Sequence, residues 1–140
     1  MPDESLIALS HELRLACMRI SRRVRFDSGG GLAPHQFSVL ARLDEGRRTP
    51  GQLAECERVS PPSMTRTVKS LLAAGLVTRE ADPDDGRQVF VVLTAAGRDV
   101  LADTRHARDA WMMARLEELS EADLVVLTEA TGILTKVAGR

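Results

Sequence analysis

The sequence predicts a mainly α-helical fold with one small β-hairpin, and three observations carry that reading. Two short helices with strong N-terminal caps stand a few residues apart between Thr49 and Gly75. Two β-rich runs flank the turn ADPDDG at 81–86. Amphipathic helical stripes occupy both ends of the chain. A helix-turn-helix followed at once by a hairpin is a winged helix-turn-helix, here flanked by N- and C-terminal dimerisation helices. At 140 residues and 44% hydrophobic the chain is too short for two ordinary domains. Residues 1–140 therefore read as a single domain, with 1–31 and 95–140 as the dimerisation helices and 32–94 as the winged region.

The first helix shows in Leu6, Leu9, Leu13, Cys17, Ile20 and Val24, whose spacings of three and four make one stripe. It stops at Ser28-Gly29-Gly30-Gly31. No strand precedes these glycines and no Lys-Ser/Thr follows them, so they form a connector and not a phosphate loop. A second helix starts at Pro34, turns Phe37, Leu40 and Leu43 inward and ends at Gly46. Thr49-Pro50-Gly51-Gln52 is a capping box with proline at the first helical position, and it opens a third helix that runs to Arg58. Ser60-Pro61-Pro62 repeats the device for a fourth, which buries Met64, Val68, Leu71 and Leu72 while Ser63, Thr65, Arg66, Thr67, Lys69 and Ser70 face out.

Strands follow at Leu76 to Glu80 and Gln88 to Leu93, with Val89, Val91 and Leu93 on one face. In the turn between them, Asp82-Pro83-Asp84-Asp85 suits a type I turn and Gly86 a positive φ after it. Thr94 caps a long helix from Ala95 to about Leu119, and Ser120-Glu121-Ala122-Asp123 opens the last one through Leu124, Leu127, Leu134 and Val137. A monomer of this size cannot cover both terminal stripes, so a symmetric dimer is expected.

Net charge is −1, which advertises no polyanionic partner. The balance hides a local patch: from Arg58 to Arg79 the charged residues are Arg58, Arg66, Lys69 and Arg79, a local +4 with no acid among them. No apolar run reaches bilayer length, and MPDESLIALSHELR lacks a signal-peptide core, so a cytoplasmic protein with no membrane partner is expected. Cys17 and Cys56 stand apart from any second ligand; His11, His35 and His106 are scattered. Neither a metal site nor a cofactor is expected, and the thiols read as buried and inert. The chain offers no nucleophile, base or paired-carboxylate constellation, so an enzyme is not expected.

The segment VSPPSMTRTVKSLLAAGLVTREADPDDGRQVFVVLTAAG resembles the multiple-antibiotic-resistance regulator (MarR) family of dimeric winged-helix repressors. The likeness covers nearly the whole chain in element order and is sharpest from Leu53 to Gly97. Its carriers are the polar cluster Ser60, Ser63, Thr65 and Arg66, the ending Leu72-Ala73-Ala74-Gly75-Leu76, the wing Asp85-Gly86-Arg87, and Leu93-Thr94-Ala95-Ala96-Gly97. The resemblance implies a homodimeric transcriptional regulator, most often a repressor, on a pseudo-palindromic double-stranded DNA operator.

It further implies that Ser63, Thr65, Arg66 and Thr67 meet base edges in the major groove, that Ser60, Arg58, Lys69 and Arg79 meet the backbone, and that Arg87, oriented by Asp85, enters the minor groove. A small aromatic or phenolic effector would sit in a pocket lined from the first, second and fifth helices, for which His11, Arg14, His35 and Trp111 are the candidates. Two departures stand out. Ala33 replaces the usual Ser or Thr cap, and Gly86 stands where some wings carry a second arginine, which implies fewer wing contacts. The alternatives are a winged-helix module that binds protein, which Ser63, Arg66, Thr67 and Lys69 argue against, and a cysteine-based redox sensor, which the lack of tyrosine argues against.

Overall fold

The computed structural model describes Met1 and residues 3–139. Its elements run α1 (Glu4–Asp27), α2 (Pro34–Glu45), α3 (Pro50–Glu57), α4 (Pro61–Ala73), β1 (Val77–Ala81), β2 (Val89–Leu93), α5 (Ala95–Leu116) and α6 (Glu121–Ala138). They divide into two compact units, one of 29–107 and one of 1–28 with 108–140. The division falls within α5, between residues 107 and 108.

The 29–107 unit holds the hydrophobic core. Val39, Leu40 and Leu43 of α2, Leu53 and Ala54 of α3, and Met64, Val68 and Leu71 of α4 close on Val77, Val91, Leu93 and Leu101, all at 5% exposure or less. Phe37 and Leu72 only flank this cluster, and Val39, which the sequence stripe passed over, lies inside it. β1 and β2 pair antiparallel from Val77 opposite Leu93 to Ala81 opposite Val89. A single bridge adds Arg48 to the hairpin: Val91 N–H donates to Arg48 C=O at 2.8 Å, and Arg48 N–H to Val91 C=O at 3.3 Å. Arg47 stacks 4.4 Å above the Phe90 ring and pairs with Glu80 at 3.0 Å, so it grips both members of one cross-strand pair.

One junction ties these parts together. Thr94 Oγ1 donates to Gly75 C=O at 2.7 Å and accepts from Gly97 N–H at 3.0 Å, while Thr94 N–H donates to Leu76 C=O at 3.1 Å. The cap that starts α5 thus also holds the turn that follows α4. Gly97 makes the approach possible, because a Cβ there would overlap the Leu76 carbonyl oxygen and come within 2.8 Å of Leu93 Cδ1.

The other unit has a different character. Among its described residues neither α1 nor α6 buries a single side chain, and Leu6, Ile7, Leu9, Val125, Val126 and Ile133 are all more than half exposed. The buried residues of α5 are Gly97, Leu101 and Thr104, which precede this unit. Trp111 packs with Arg115, 4.0 Å over its ring, and with Arg23 at 6.0 Å. Burial, with Arg25 as a like-charged neighbour, holds the Arg108 guanidinium below its ordinary value. Cys17 is exposed, and Cys56 of the other unit is exposed too. This corrects the expectation of buried thiols: the stripe that carries Cys17 is itself uncovered.

Two glycine substitutions should act in opposite directions. Gly97→Ala forces backbone apart at the Thr94 junction and should lower unfolding free energy by about 2 kcal/mol or more in urea titration. Gly132→Ala, in α6 with nothing within 4 Å of the new methyl, should raise it by about 0.5–1 kcal/mol.

Candidate nucleic-acid interface

The turn before α4 is built from caps. Thr49 Oγ1 accepts from Gln52 N–H at 3.1 Å while Gln52 Oε1 accepts from Thr49 N–H at 2.9 Å, so both halves of the capping box form. α3 ends at Arg58, whose φ of 54° and ψ of 44° make it the one non-glycine residue with positive φ among those described. Glycine is the usual occupant of such a cap, and a side chain there costs roughly 1 kcal/mol. Ser60 then accepts from Ser63 N–H at 3.3 Å and starts α4, with Pro61 and Pro62 in its first turn.

On α4 the structure exposes Thr65, Arg66, Lys69 and Ser70 and leaves Ser63 half-buried. Ser63 Oγ accepts the Ser60 hydroxyl at 3.0 Å and lies 3.5 Å from Arg66 Nη2, so the cap, Ser63 and Arg66 form one connected surface. Thr65 Oγ1 donates back to Pro61 C=O at 2.9 Å. Thr67 corrects the sequence reading: it is 9% exposed and its hydroxyl donates to Ser63 C=O at 3.2 Å. It shares the inward side with Met64, Val68 and Leu71, one helical turn apart, and cannot be presented outward with Arg66.

At the wing, Asp85 Oδ1 accepts from both Arg87 N–H (3.1 Å) and Arg87 Nε–H (3.3 Å), and the Arg87 side chain is 93% exposed. The turn itself differs from the expected one. Asp82 Oδ1 accepts from Asp84 N–H at 2.8 Å, and the i to i+3 hydrogen bond runs from Gln88 N–H to Asp85 C=O at 3.0 Å. Gly86 lies inside that later turn without a positive φ. Arg58, Ser60 and Arg79 are all exposed, as the contacts suggested for them require.

Around the helix pair, Arg42 bonds Glu57 at 3.1 Å, and that hydrogen bond with its charge raises the guanidinium above its ordinary value. A cleft of about 520 Å³ separates the start of α2 from α4, with His35, Gln36, Glu57, Ser63 and Arg66 on its walls. His35 alone of the four pocket candidates lies on it. His11 and Arg14 on α1 and Trp111 on α5 belong to the other unit, so within the winged unit the cleft is lined from α2, α3 and α4. Sequence reasoning missed Arg47 and Arg48, whose roles depend on strand register. It also missed the second hydrogen bond of Gln36, whose Nε2 reaches Ser70 Oγ at 3.2 Å across 34 residues of chain.

Winged helix-turn-helix is the class that this arrangement of capped turn, exposed polar helix and hairpin defines. Comparison with known proteins narrows it: the MarR family model matches residues 30–88. HTH-type transcriptional regulator MT0903.1 of Mycobacterium tuberculosis is 41% identical over 128 residues, 90% of either chain. A chain from Pseudomonas aeruginosa PA01 of known crystal structure is similar over 99% of both chains, with a TM-score of 0.87 at 28% identity. A MarR family protein from Bacillus stearothermophilus shares the fold, with a TM-score of 0.81 at 23% identity over 100% of this chain and 99% of its own. The protein belongs to the MarR family, as a transcriptional regulator with a DNA-binding helix-turn-helix fold. No helix among the described residues is long and apolar enough to cross a membrane.

The left-handed cap gives a test that needs no DNA. Arg58→Gly should raise unfolding free energy by about 1 kcal/mol, whereas Arg58→Val should lower it by a similar amount or more, both read from thermal or urea unfolding.

Proposed function

We propose that the protein is a homodimeric repressor that occupies a pseudo-palindromic operator, with one α4 helix in each of two successive major grooves. The observation that carries this reading is the outward face of α4. Ser63, Thr65 and Arg66 stand together in its first two turns, ahead of Lys69, and no acidic residue lies between Arg58 and Arg79. In the complex Arg66 donates to a guanine edge, with Ser63 and Thr65 beside it on neighbouring bases. Ser60, Arg58, Lys69 and Arg79 meet phosphates and set affinity without reading sequence. Arg87 enters the minor groove with its Nε end held by Asp85. Thr67 drops out of the base contacts, because its hydroxyl and its burial commit it to the helix interior.

The dimer rests on the exposed apolar faces of the 1–28 and 108–140 unit. Leu6, Leu9, Val126, Ile133 and Val137 would all remain in water in a monomer, and each would release roughly 1.5–3 kcal/mol on full burial. A two-fold partner with the same stripes covers them. A cytoplasmic location follows from the regulatory role. For release from the operator, the cleft beside α4 is large enough for a small aromatic acid or phenol, and His35 and Arg66 supply groups that suit an anion. His11, Arg14 and Trp111 are kept as candidates for that ligand only as residues a dimer could bring to it.

Fluorescence anisotropy on a duplex from the protein's own upstream region, against a scrambled duplex at two salt concentrations, tests the reading. Tight, salt-sensitive preference for the first is expected; equal weak binding to both would overturn it. Arg66→Ala should lose about 1–3 kcal/mol of preference, while Arg87→Ala should weaken both duplexes alike and reduce the salt slope by about 1. Ile133→Asp should turn a dimer into a monomer in sedimentation, with operator affinity falling about 100-fold or more as two half-sites become one.

A further inference from the structure

We infer that Gln36, on α2 and outside the DNA-facing surface, is a positioning residue that sets the pose of the recognition helix α4. The inference rests on the DNA-reading role of α4 proposed above. Gln36 is the third residue of α2, and both ends of its amide are engaged. Oε1 accepts the backbone N–H of Ala33 at 3.0 Å, and Nε2 donates to Ser70 Oγ at 3.2 Å.

Ala33 explains the first bond. An alanine cap has no oxygen to offer the helix, so the reverse half of the capping box, from Gln36 back to residue 33, is the only half that can form. That bond fixes the glutamine against the first ordered turn after Gly29-Gly30-Gly31. Its other end is thereby aimed at α4, where Ser70 Oγ passes the connection on by donating to Thr67 C=O at 2.7 Å. One turn earlier, Thr67 Oγ1 donates to Ser63 C=O at 3.2 Å, and the Ser63 hydroxyl meets Ser60 and Arg66. Three hydrogen-bonded steps, joined through the covalent backbone of Thr67 and Ser63, therefore lead from the N-terminus of α2 to the first turns of α4.

Apolar packing alone does not provide this. Met64, Val68 and Leu71 hold α4 against the core through dispersion contacts, which have no direction. A hydrogen bond across the cleft fixes the roll, and a guanidinium that must meet a base edge within hydrogen-bond tolerance depends on the roll. The bond lies at a solvent-accessible position, so its removal should affect pose far more than stability.

Three variants test the link. Ser70→Ala removes the acceptor and keeps the cap; Gln36→Met keeps the length of the side chain but removes link and cap together; Ser70→Thr keeps the hydroxyl. On the full-length protein, Ser70→Ala and Gln36→Met should lower the ratio of specific to scrambled-duplex affinity about three- to tenfold, with scrambled-duplex affinity within about twofold of the parent, and Ser70→Thr should keep the parent ratio. Amide NMR shifts without DNA should extend from residue 70 to Ser63 and Arg66 in the first two variants only. An unchanged ratio, a parallel fall on both duplexes, or shifts confined to the neighbours of residue 70 would overturn the inference. A parent protein that prefers no duplex, with the long-range shifts present, would overturn the DNA-reading role of α4 and leave the helix link standing.

Discussion

The structure depends most on the backbone contact between the start of α5 and the end of α4, where Thr94 reaches Gly75 and Leu76 and Gly97 leaves room for them. The last carbonyls of α4 are met within its own ending, Ser70 C=O by Ala74 N–H, Leu71 C=O by Leu76 N–H and Leu72 C=O by Gly75 N–H. One threonine hydroxyl then joins the turn after α4 to the first turn of α5, because a hydroxyl can donate and accept together. The close approach this requires excludes any Cβ at residue 97. It also decides the orientation of the wing, since the strand that leads into Thr94 carries Val91 and Leu93 into the core and cannot rotate away.

From that fixed end the hairpin is held at two further points. Arg48 pairs with Val91 through the backbone, and Arg47 grips Glu80 and Phe90 through its side chain. The tip beyond them, from Asp82 to Arg87, is shaped by its own aspartates. Asp82 orders the turn, and Asp85 bonds both the backbone and the Nε of Arg87. The acidity of the wing tip is therefore local scaffolding for one exposed arginine. Its exposure means solvent competes with the ion pair, so Asp85 directs the arginine more than it binds it.

Much of this was legible in the sequence, and for a physical reason. Caps are local: Thr49 with Gln52, Ser60 with Ser63, Thr94 with Gly97 and Ser120 with Asp123 each pair residues three apart, and all four formed as the pattern reads. What could not be read was non-local or close to a face boundary. Thr67 lies at the edge of the apolar stripe, where a β-branched residue with a hydroxyl can face either way until the facing helix is placed. Cys17 sits on a good apolar stripe, yet a stripe states which side wants cover and not whether cover arrives within the chain. The Gly86 turn misled because Asp-Pro-Asp-Asp fits one turn type well while Asp85 to Gln88 closes another three residues along. The candidate DNA-facing residues were legible as a group because α4 has caps and an apolar side; the link from Gln36 to Ser70 was not, since nothing in a sequence relates positions 34 apart.

The near-zero net charge takes on meaning in this setting. Non-specific affinity for DNA scales with the phosphates that basic side chains neutralise, and a genome offers a vast excess of wrong sites. A chain with total charge −1 and a +4 segment from Arg58 to Arg79 keeps attraction confined to the proposed reading surface. Acidic residues elsewhere on the chain oppose docking through its other faces. In the proposed role discrimination comes from geometry, from the pose of Arg66 and Ser63 on α4, so hydrogen bonds that do not touch DNA bear on how it is read. Gln36, Ser63, Thr67 and Ser70 in the cleft between α2 and α4 are all hydrogen-bonded, so changes in that cleft bear on the proposed reading surface.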